Sequence, residues 1–231
     1  YPNFNLRLAR EDRMKSQEQI AIRYRDWFFF GFMFTMIVFY AMLFFGVRDR
    51  TYLYYSIFLT GTSVFLLDIF GILRDAPIIS SFPKSRMYSV YVAGAVEDVA
   101  YIQFIRTYMN LGSLLPRWDK IYQYMTRVRW GFLLLVTLPF FHFTFQETIA
   151  DRMAFGFVLL YYLMVLVFLV PLYKSKDRKR AIFLGPATLL LILGIFGNSI
   201  SFFGSGSFNR MACQISIIGA VTVFSLGLAY R

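Results

Sequence analysis

Seven apolar stretches, separated by short polar ones, account for most of the chain. They run from 16 to 23 residues, close to the roughly 20 residues with which a helix crosses a hydrocarbon core about 30 Å thick. The pattern therefore predicts an all-α membrane protein built as a seven-transmembrane-helix bundle. The predicted segments are 27–45, 52–73, 87–105, 130–145, 153–173, 181–203 and 211–230.

The first 26 residues are polar and differ from the rest of the chain. We interpret 1–26 as an extracytoplasmic linker or short helix that leads into the membrane, and 27–231 as the seven-helix transmembrane domain. The chain begins with Tyr1 and ends directly after the last apolar segment. We therefore expect it to be a fragment of a longer protein.

Composition narrows the classes of partner. Apolar residues make up 58% of the chain and the formal net charge is +11. Because the basic residues lie between membrane segments, we expect anionic lipid as their partner and no nucleic acid. The single Cys213 leaves no disulfide framework and no cysteine-based metal site. We predict neither a cofactor nor a metal.

The distribution of Lys and Arg predicts the orientation. Loops on one side carry 13 of them and loops on the other side carry 5, so the positive-inside rule places the N-terminus outside and the C-terminus in the cytoplasm. Six further basic residues in 1–26 weaken the bias, although Asp26 and three other acids dilute their charge. The richest inner cluster comprises Lys174, Lys176, Arg178, Lys179 and Arg180.

A helix with two faces is expected in the inner loop after the third segment. Pro116 suits the first position of a helix, and apolar residues recur after it at helical spacing, namely Trp118, Ile121, Tyr122, Met125 and Val128. The opposite face carries Arg117, Lys120, Arg127 and Arg129. Such a pattern predicts a short helix lying on the cytoplasmic membrane surface.

Ionisable residues at membrane depth are costly, so they are expected to face the protein interior. Glu97 and Asp98 fall near the middle of the third segment. Asp68, His142, Asn198 and Gln214 each fall about 8 Å outward of their segment midpoints, given a rise of about 1.5 Å per residue, and are predicted to form one polar layer. Three roles remain open for these groups: hydrogen bonds that pack helices, a ligand or signalling pocket, and a proton or ion path.

Adjacent residues of a helix point about 100° apart, so Glu97 and Asp98 cannot face the same partner. Glu97 shares a helix face with Gly94 and Tyr101. We therefore expect Glu97 to face the core and to hydrogen-bond a Tyr or Asn of a neighbouring helix.

Enzymatic and retinal-binding classes do not fit the chain. It has one His, lacks a nucleophile elbow and lacks a phosphate-binding Gly-rich loop followed by Lys. Every Lys lies outside the apolar segments, so none can form a Schiff base within a helix. We predict a protein that is not itself an enzyme.

Three runs of sequence resemble the bacterial seven-transmembrane receptors with diverse intracellular signalling modules. Residues 44–55 read FFGVRDRTYLYY, and Gly71 then closes the second segment; residues 104–111 read FIRTYMNL and 116–120 read PRWDK; residues 224–231 read FSLGLAYR. Many members of that family carry an acid in the last helix, whereas the last segment here has only Gln214 as a strongly polar side chain. No role of that acid is therefore transferred.

The resemblance implies a receptor module in the bacterial inner membrane, with a sensor before the first helix and an output module after the last. A small-solute or ion transporter or channel remains the alternative, and the sequence does not decide between a monomer and a homodimer. The turn motif is predicted to tie the first hairpin to the cytoplasmic surface through Arg48, Asp49 and Arg50, with Tyr52 and Tyr54 or Tyr55 packing at the interface.

Overall fold

The computed structural model describes the backbone of residues 2–75, 83–137, 147–173, 178–201 and 206–230, and side chains mainly in 20–73, 91–135, 160–173, 180–194 and 210–230. All regular secondary structure in these residues is helical, which confirms the predicted class. The helices are α1 (Pro2–Val47), α2 (Arg50–Ile69), α3 (Pro83–Tyr108), the single turn α4 (Leu111–Leu114), α5 (Pro116–Thr137), α6 (Glu147–Tyr173), α7 (Arg178–Ser201) and α8 (Gly206–Ala229). A 3₁₀ turn, Ile72–Asp75, follows α2.

Three stretches are long and apolar enough to cross a membrane within the described residues: Ile20–Val47, Arg50–Ile69 and Arg210–Ala229. Two shorter apolar helical stretches are Leu160–Tyr173 and Arg180–Gly194. A helix of 20 or more residues overlaps each predicted segment, but α5 ends at Thr137, and 138–145 of the fourth segment lie outside the described residues. The apolar pattern therefore predicted approximately where the long helices lie, with α5 as the exception.

The first helix is continuous across the boundary predicted at residue 26. α1 has 46 residues, which corresponds to about 69 Å at 1.5 Å per residue. The described part of the polar stretch, from Pro2 onward, is helical and continues without a break into the apolar segment.

The turn between α1 and α2 has a defined local structure. Arg48 adopts a left-handed backbone conformation with φ 58°, and its N–H donates to the Phe44 carbonyl at 2.7 Å. Asp49 is the N-cap of α2, and its Oδ1 accepts a hydrogen bond of 2.8 Å from the Thr51 N–H. These contacts end one helix and start the next within two residues.

Successive long helices pack against each other, and the last one returns to the first three. α1 packs on α2, α2 on α3, α3 on α5, α6 on α7 and α7 on α8. Where α2, α3 and α8 meet, the buried rings of Tyr55, Phe104 and Phe224 lie with centroids 5.0 to 5.9 Å apart. The core is thus strongly aromatic at this junction.

A helix does begin at Pro116, as expected, but it is longer than the short helix predicted there. α5 runs through from Pro116 to Thr137, and Tyr122 on its apolar face is buried edge-on against Phe168 of α6. Arg129, expected on the polar face, is buried. The apolar face therefore packs on neighbouring helices in part, and Ile121 and Val128 on it stay exposed.

Candidate functional site

An ion pair between a buried aspartate and a partly exposed arginine joins α1 to α8 at one end of the molecule. Asp26 Oδ2 lies 3.0 Å from Nη1 of Arg210, and Asp26 Oδ1 accepts a hydrogen bond of 2.7 Å from Nε2 of Gln214. The Arg210 guanidinium also lies 4.9 Å from the ring centroid of Phe70, at the end of α2. Asp26 is only 4% exposed. The Asp26 carboxylate therefore links α1 to α8, and Arg210 adds the end of α2. We call this set the Asp26 cluster (Asp26, Phe70, Arg210 and Gln214).

Glu97 lies at the closest approach between α2 and α3. Its Oε1 is 3.0 Å from the Thr62 hydroxyl of α2. Beside it, a Cβ added at Gly61 would lie 2.9 Å from Glu97 Cβ and 3.0 Å from Glu97 Cα. Only a residue without a side chain lets the two backbones approach this closely. Glu97 faces the core, as we expected, and it is hydrogen-bonded both to Thr62 of α2 and to Tyr162 of α6.

Asp98 points toward a different helix. Its Oδ2 lies 2.8 Å from Nη2 of Arg129 on α5, and both side chains are almost fully buried. Gly94, one turn earlier, lies beside the guanidinium, since a Cβ there would come within 3.6 Å of Nη2. The two adjacent acids thus link α3 to α2 and α5, as their angular separation requires.

Tyrosines of α3 and α6 complete the surroundings of these acids. The Tyr161 hydroxyl donates to the Met125 carbonyl of α5 at 2.6 Å. The Tyr162 hydroxyl is hydrogen-bonded to the Glu97 carboxyl and lies near Asp98. Tyr101 shares a hydrogen bond of 2.7 Å with Thr188 of α7. We call Thr62, Glu97, Asp98, Arg129 and Tyr162 the α3 acid cluster.

Two tyrosines hold α8 toward its other end. The Tyr55 hydroxyl donates to the Val221 carbonyl at 3.2 Å, and the Tyr108 hydroxyl donates to the Gly227 carbonyl at 3.2 Å. A Cβ at Gly227 would lie 2.8 Å from the Tyr108 oxygen. The last helix is therefore bound along its length to α1, α2 and α3.

A polar network joins α3 to the start of α5. Arg106 donates from Nε to Asp119 Oδ1 at 2.6 Å and from Nη2 to Oδ2 at 3.1 Å. Gln123 donates to Oδ2 at 2.7 Å. The hydrogen bonds from Arg106 hold the pKa of the Asp119 carboxyl below its usual value.

The predicted polar layer is only partly described. Asp68 is buried near the end of α2, and Gln214 binds Asp26. His142 and the side chain of Asn198 lie outside the described residues. In the part of the chain with described side chains, no group of three or more His, Cys, Asp or Glu is arranged to hold a metal ion.

The structure describes the turn motif at 48–55 more completely than the basic cluster at 174–180. Tyr55 is fully buried, Tyr52 and Tyr54 are half-buried against the core, and the Tyr52 ring stacks on Tyr40 with centroids 6.2 Å apart. Arg180 donates to the Tyr108 carbonyl at 3.4 Å. Outside the described part lie Lys174, Lys176 and the side chains of Arg178 and Lys179.

Comparison with known families identifies the architecture to which these contacts belong. A family model described as 7TM diverse intracellular signalling matches residues 22–231. The chain belongs to this family. No curated protein and no solved structure matches it.

Membership of the 7TM diverse intracellular signalling family confirms the resemblance derived from the turn motif and the two later runs. It makes the chain a membrane protein with a transmembrane signalling role. The match begins at residue 22, within α1 and before Asp26. The Asp26 cluster therefore lies inside the matched domain of this 7TM diverse intracellular signalling protein.

Sequence reasoning missed several members of the site. Asp26 was counted as a diluting charge of the N-terminal stretch, and Arg129 as a loop cation, because both lie at the edge of an apolar segment. Helical continuity through residue 26 would have placed Asp26 within α1. Nothing in the sequence pattern singled out Gly61 and Thr62, because small residues are common throughout transmembrane helices.

Proposed function

We propose that this domain relays a stimulus arriving at the N-terminal side of α1 to a cytoplasmic output module that follows α8, within the bacterial inner membrane. The family supports the transmembrane signalling role. The direction of the relay rests on the orientation that the positive-inside rule predicts. Residues preceding α1 would carry the stimulus, and α8 would pass it inward.

The observation that carries this proposal is the direct link between the first helix and the last. Asp26 belongs to one uninterrupted helix that begins at Pro2, and it binds both Arg210 and Gln214 in the first turns of α8. A shift or rotation of α1 therefore acts on α8 without passing through the intervening helices. Asp26 is buried, whereas Arg210 is partly exposed. Loss of the guanidinium would leave a buried carboxylate without its charged partner, which is unfavourable, so the contact constrains both helices.

The other contacts of α8 supply the second arrangement that a relay requires. Tyr55 and Tyr108 each donate one hydrogen bond to a carbonyl of α8. A displaced α8 exchanges these bonds for others, and the stimulus selects between the two arrangements by its different affinity for each. Packed helices favour discrete positions over continuous deformation.

Cytoplasmic basic residues have a separate role in this proposal. The cluster at 174–180 would hold anionic lipid head groups, each Lys or Arg contributing about 1 kcal/mol near the surface. This fixes the inner ends of α6 and α7 at the membrane surface while α8 moves.

The first experiment reads the gene beyond both ends of the chain and then measures the output of the complete receptor. We expect a module with catalytic or phosphotransfer activity after α8.

Asp26→Asn should change the unstimulated output or the response to the stimulus at least several-fold. The double exchange Asp26→Arg with Arg210→Asp should restore part of the response, because the pair is re-formed with reversed charges.

Arg23→Gln is the matched control, since Arg23 lies one turn earlier on α1 and is exposed. It should leave the output unchanged, and all variants are compared at equal folded yield. Normal signalling by well-folded Asp26→Asn would contradict the relay. Solute or ion flux through purified domain in vesicles would instead support a transporter or channel.

A further inference from the structure

The Thr62 hydroxyl has two oxygen neighbours and only one hydrogen to donate. Its Oγ1 lies 3.0 Å from the Phe58 carbonyl oxygen and 3.0 Å from Glu97 Oε1. A carbonyl oxygen only accepts, and a carboxylate only accepts, whereas a neutral carboxylic acid also donates. Both contacts are complete hydrogen bonds when Thr62 donates to Phe58 and Glu97 donates to Thr62. This arrangement requires a proton on Glu97.

Other threonines of the chain support this assignment of donors. Thr60, Thr126 and Thr222 each donate to the carbonyl four residues earlier, at 2.8 to 2.9 Å. Thr188 does the same to Leu184 at 2.7 Å, which leaves its oxygen to accept from Tyr101. Donation within the helix is thus the regular use of a threonine hydrogen here, and Thr62 follows it.

Charge balance leads to the same state by an independent route. Glu97 and Asp98 are 7% and 3% exposed, and the cation beside them, Arg129, makes its close contact with Asp98. The other groups described as facing Glu97 are Thr62 on α2, Tyr162 on α6 and Cys213 on α8. None of these three supplies a positive charge at neutral pH, so an ionised Glu97 would be a second buried carboxylate sharing one counter-ion.

We propose that Glu97 is a proton-binding site inside the membrane: it is a neutral acid that donates to Thr62, while the neighbouring Asp98 stays ionised against Arg129. The site lies where Gly61 brings α2 against the backbone of α3. Release of the proton would place a charge in this contact, so proton occupancy is coupled to the packing of α2 on α3. The proposal does not depend on the relay between α1 and α8.

Infrared spectroscopy of the domain in lipid vesicles tests this directly. The chain has four glutamates, and the other three, Glu11, Glu18 and Glu147, lie in polar stretches of sequence. With carbon-13 in the glutamate carboxyl groups, the wild type at neutral pH should show a carboxylic acid C=O band that the label shifts to lower frequency. Glu97→Gln should lose this band, and Glu18→Gln should keep it.

A second variant tests the hydrogen bond itself. Thr62→Val removes the acceptor, so the band should persist and move to higher frequency, as that of a weakly bonded acid does. Absence of a label-sensitive acid band from the wild type at neutral pH would overturn the proposal without any variant. A band that survives in folded Glu97→Gln would assign the proton to another residue and would overturn it as well.

Discussion

Arg106 donates two hydrogen bonds to Asp119, and these bonds join the end of α3 to the first turn of α5. Both groups are partly exposed, at 19% and 13% of their side chains, so solvent screens the pair only in part. Paired guanidinium and carboxylate groups in this geometry form the stronger class of hydrogen bond.

We predict that Asp119→Asn lowers the stability of the domain by on the order of 1 kcal/mol at neutral pH. Arg106 depresses the pKa of Asp119 in the folded protein. The stabilisation by the Asp119 carboxylate is therefore complete above the unfolded-state pKa of about 3.9, and it is lost as the pH falls through the lower folded-state pKa. Thermal unfolding in nanodiscs should show the variant and the wild type converging in that acid range. Lys120→Gln, an exposed neighbour, should show no such convergence.

Asp49 caps α2 by accepting from the Thr51 N–H at 2.8 Å. Asp49→Ala should cost about 1 kcal/mol, because it leaves a helix N-terminal donor without this partner. The expected result is a lower thermal midpoint and a lower folded yield in detergent, whereas Arg50→Ala at the exposed next position should change neither. Equal midpoints for Asp49→Ala and wild type would mean that the turn is an interchangeable charged loop.

At the scale of elements, the close contact between α2 and α3 depends on Gly61, a residue without a side chain. Gly61→Ala would place a Cβ 3.0 Å from Glu97 Cα, and backbone atoms cannot move aside as a flexible side chain can. Such overpacking costs about 1–3 kcal/mol. We therefore predict a lower thermal midpoint for Gly61→Ala.

Gly31→Ala in α1 is the control, because nothing lies within 4 Å of its Cβ position and alanine favours a helix over glycine by up to about 1 kcal/mol. Its midpoint should stay equal or rise. A fall of the same size in both variants would show that glycine itself, and not the α2–α3 contact, sets the effect.

At the scale of the whole molecule, orientation is the property that most affects the relay. Because Arg129 is buried, it should not be counted among the basic residues of the inner loops. Without it, the inner loops still carry more Lys and Arg than the outer loops. In a Cys213→Ala background, cysteine at position 85 should react with an impermeant thiol reagent on intact cells, and cysteine at position 175 should react only after lysis. The reverse pattern would invert the direction of signalling.

The helical class, the approximate positions of the long helices and the family were predictable from residues close together in sequence. A long apolar run indicates a segment that crosses the hydrocarbon core of a membrane. A helix is favoured there because it pairs its own backbone N–H and C=O groups. The Asp49 cap belongs to the same group, because Asp and Thr lie two residues apart and the contact is local. The preference of Glu97 for the core followed from the cost of burying charge beside lipid.

Partners of the buried polar groups depended on tertiary structure. Asp26 and Gln214 are 188 residues apart in sequence, and Asp98 pairs with an arginine that the charge pattern assigned to a loop. Which side chains meet depends on how each helix is rotated and how closely its neighbours approach, and one glycine, Gly61, sets that distance for α2 and α3. Local sequence thus determined that this protein is a set of membrane helices, whereas packing between distant helices decided which of their polar groups bind one another.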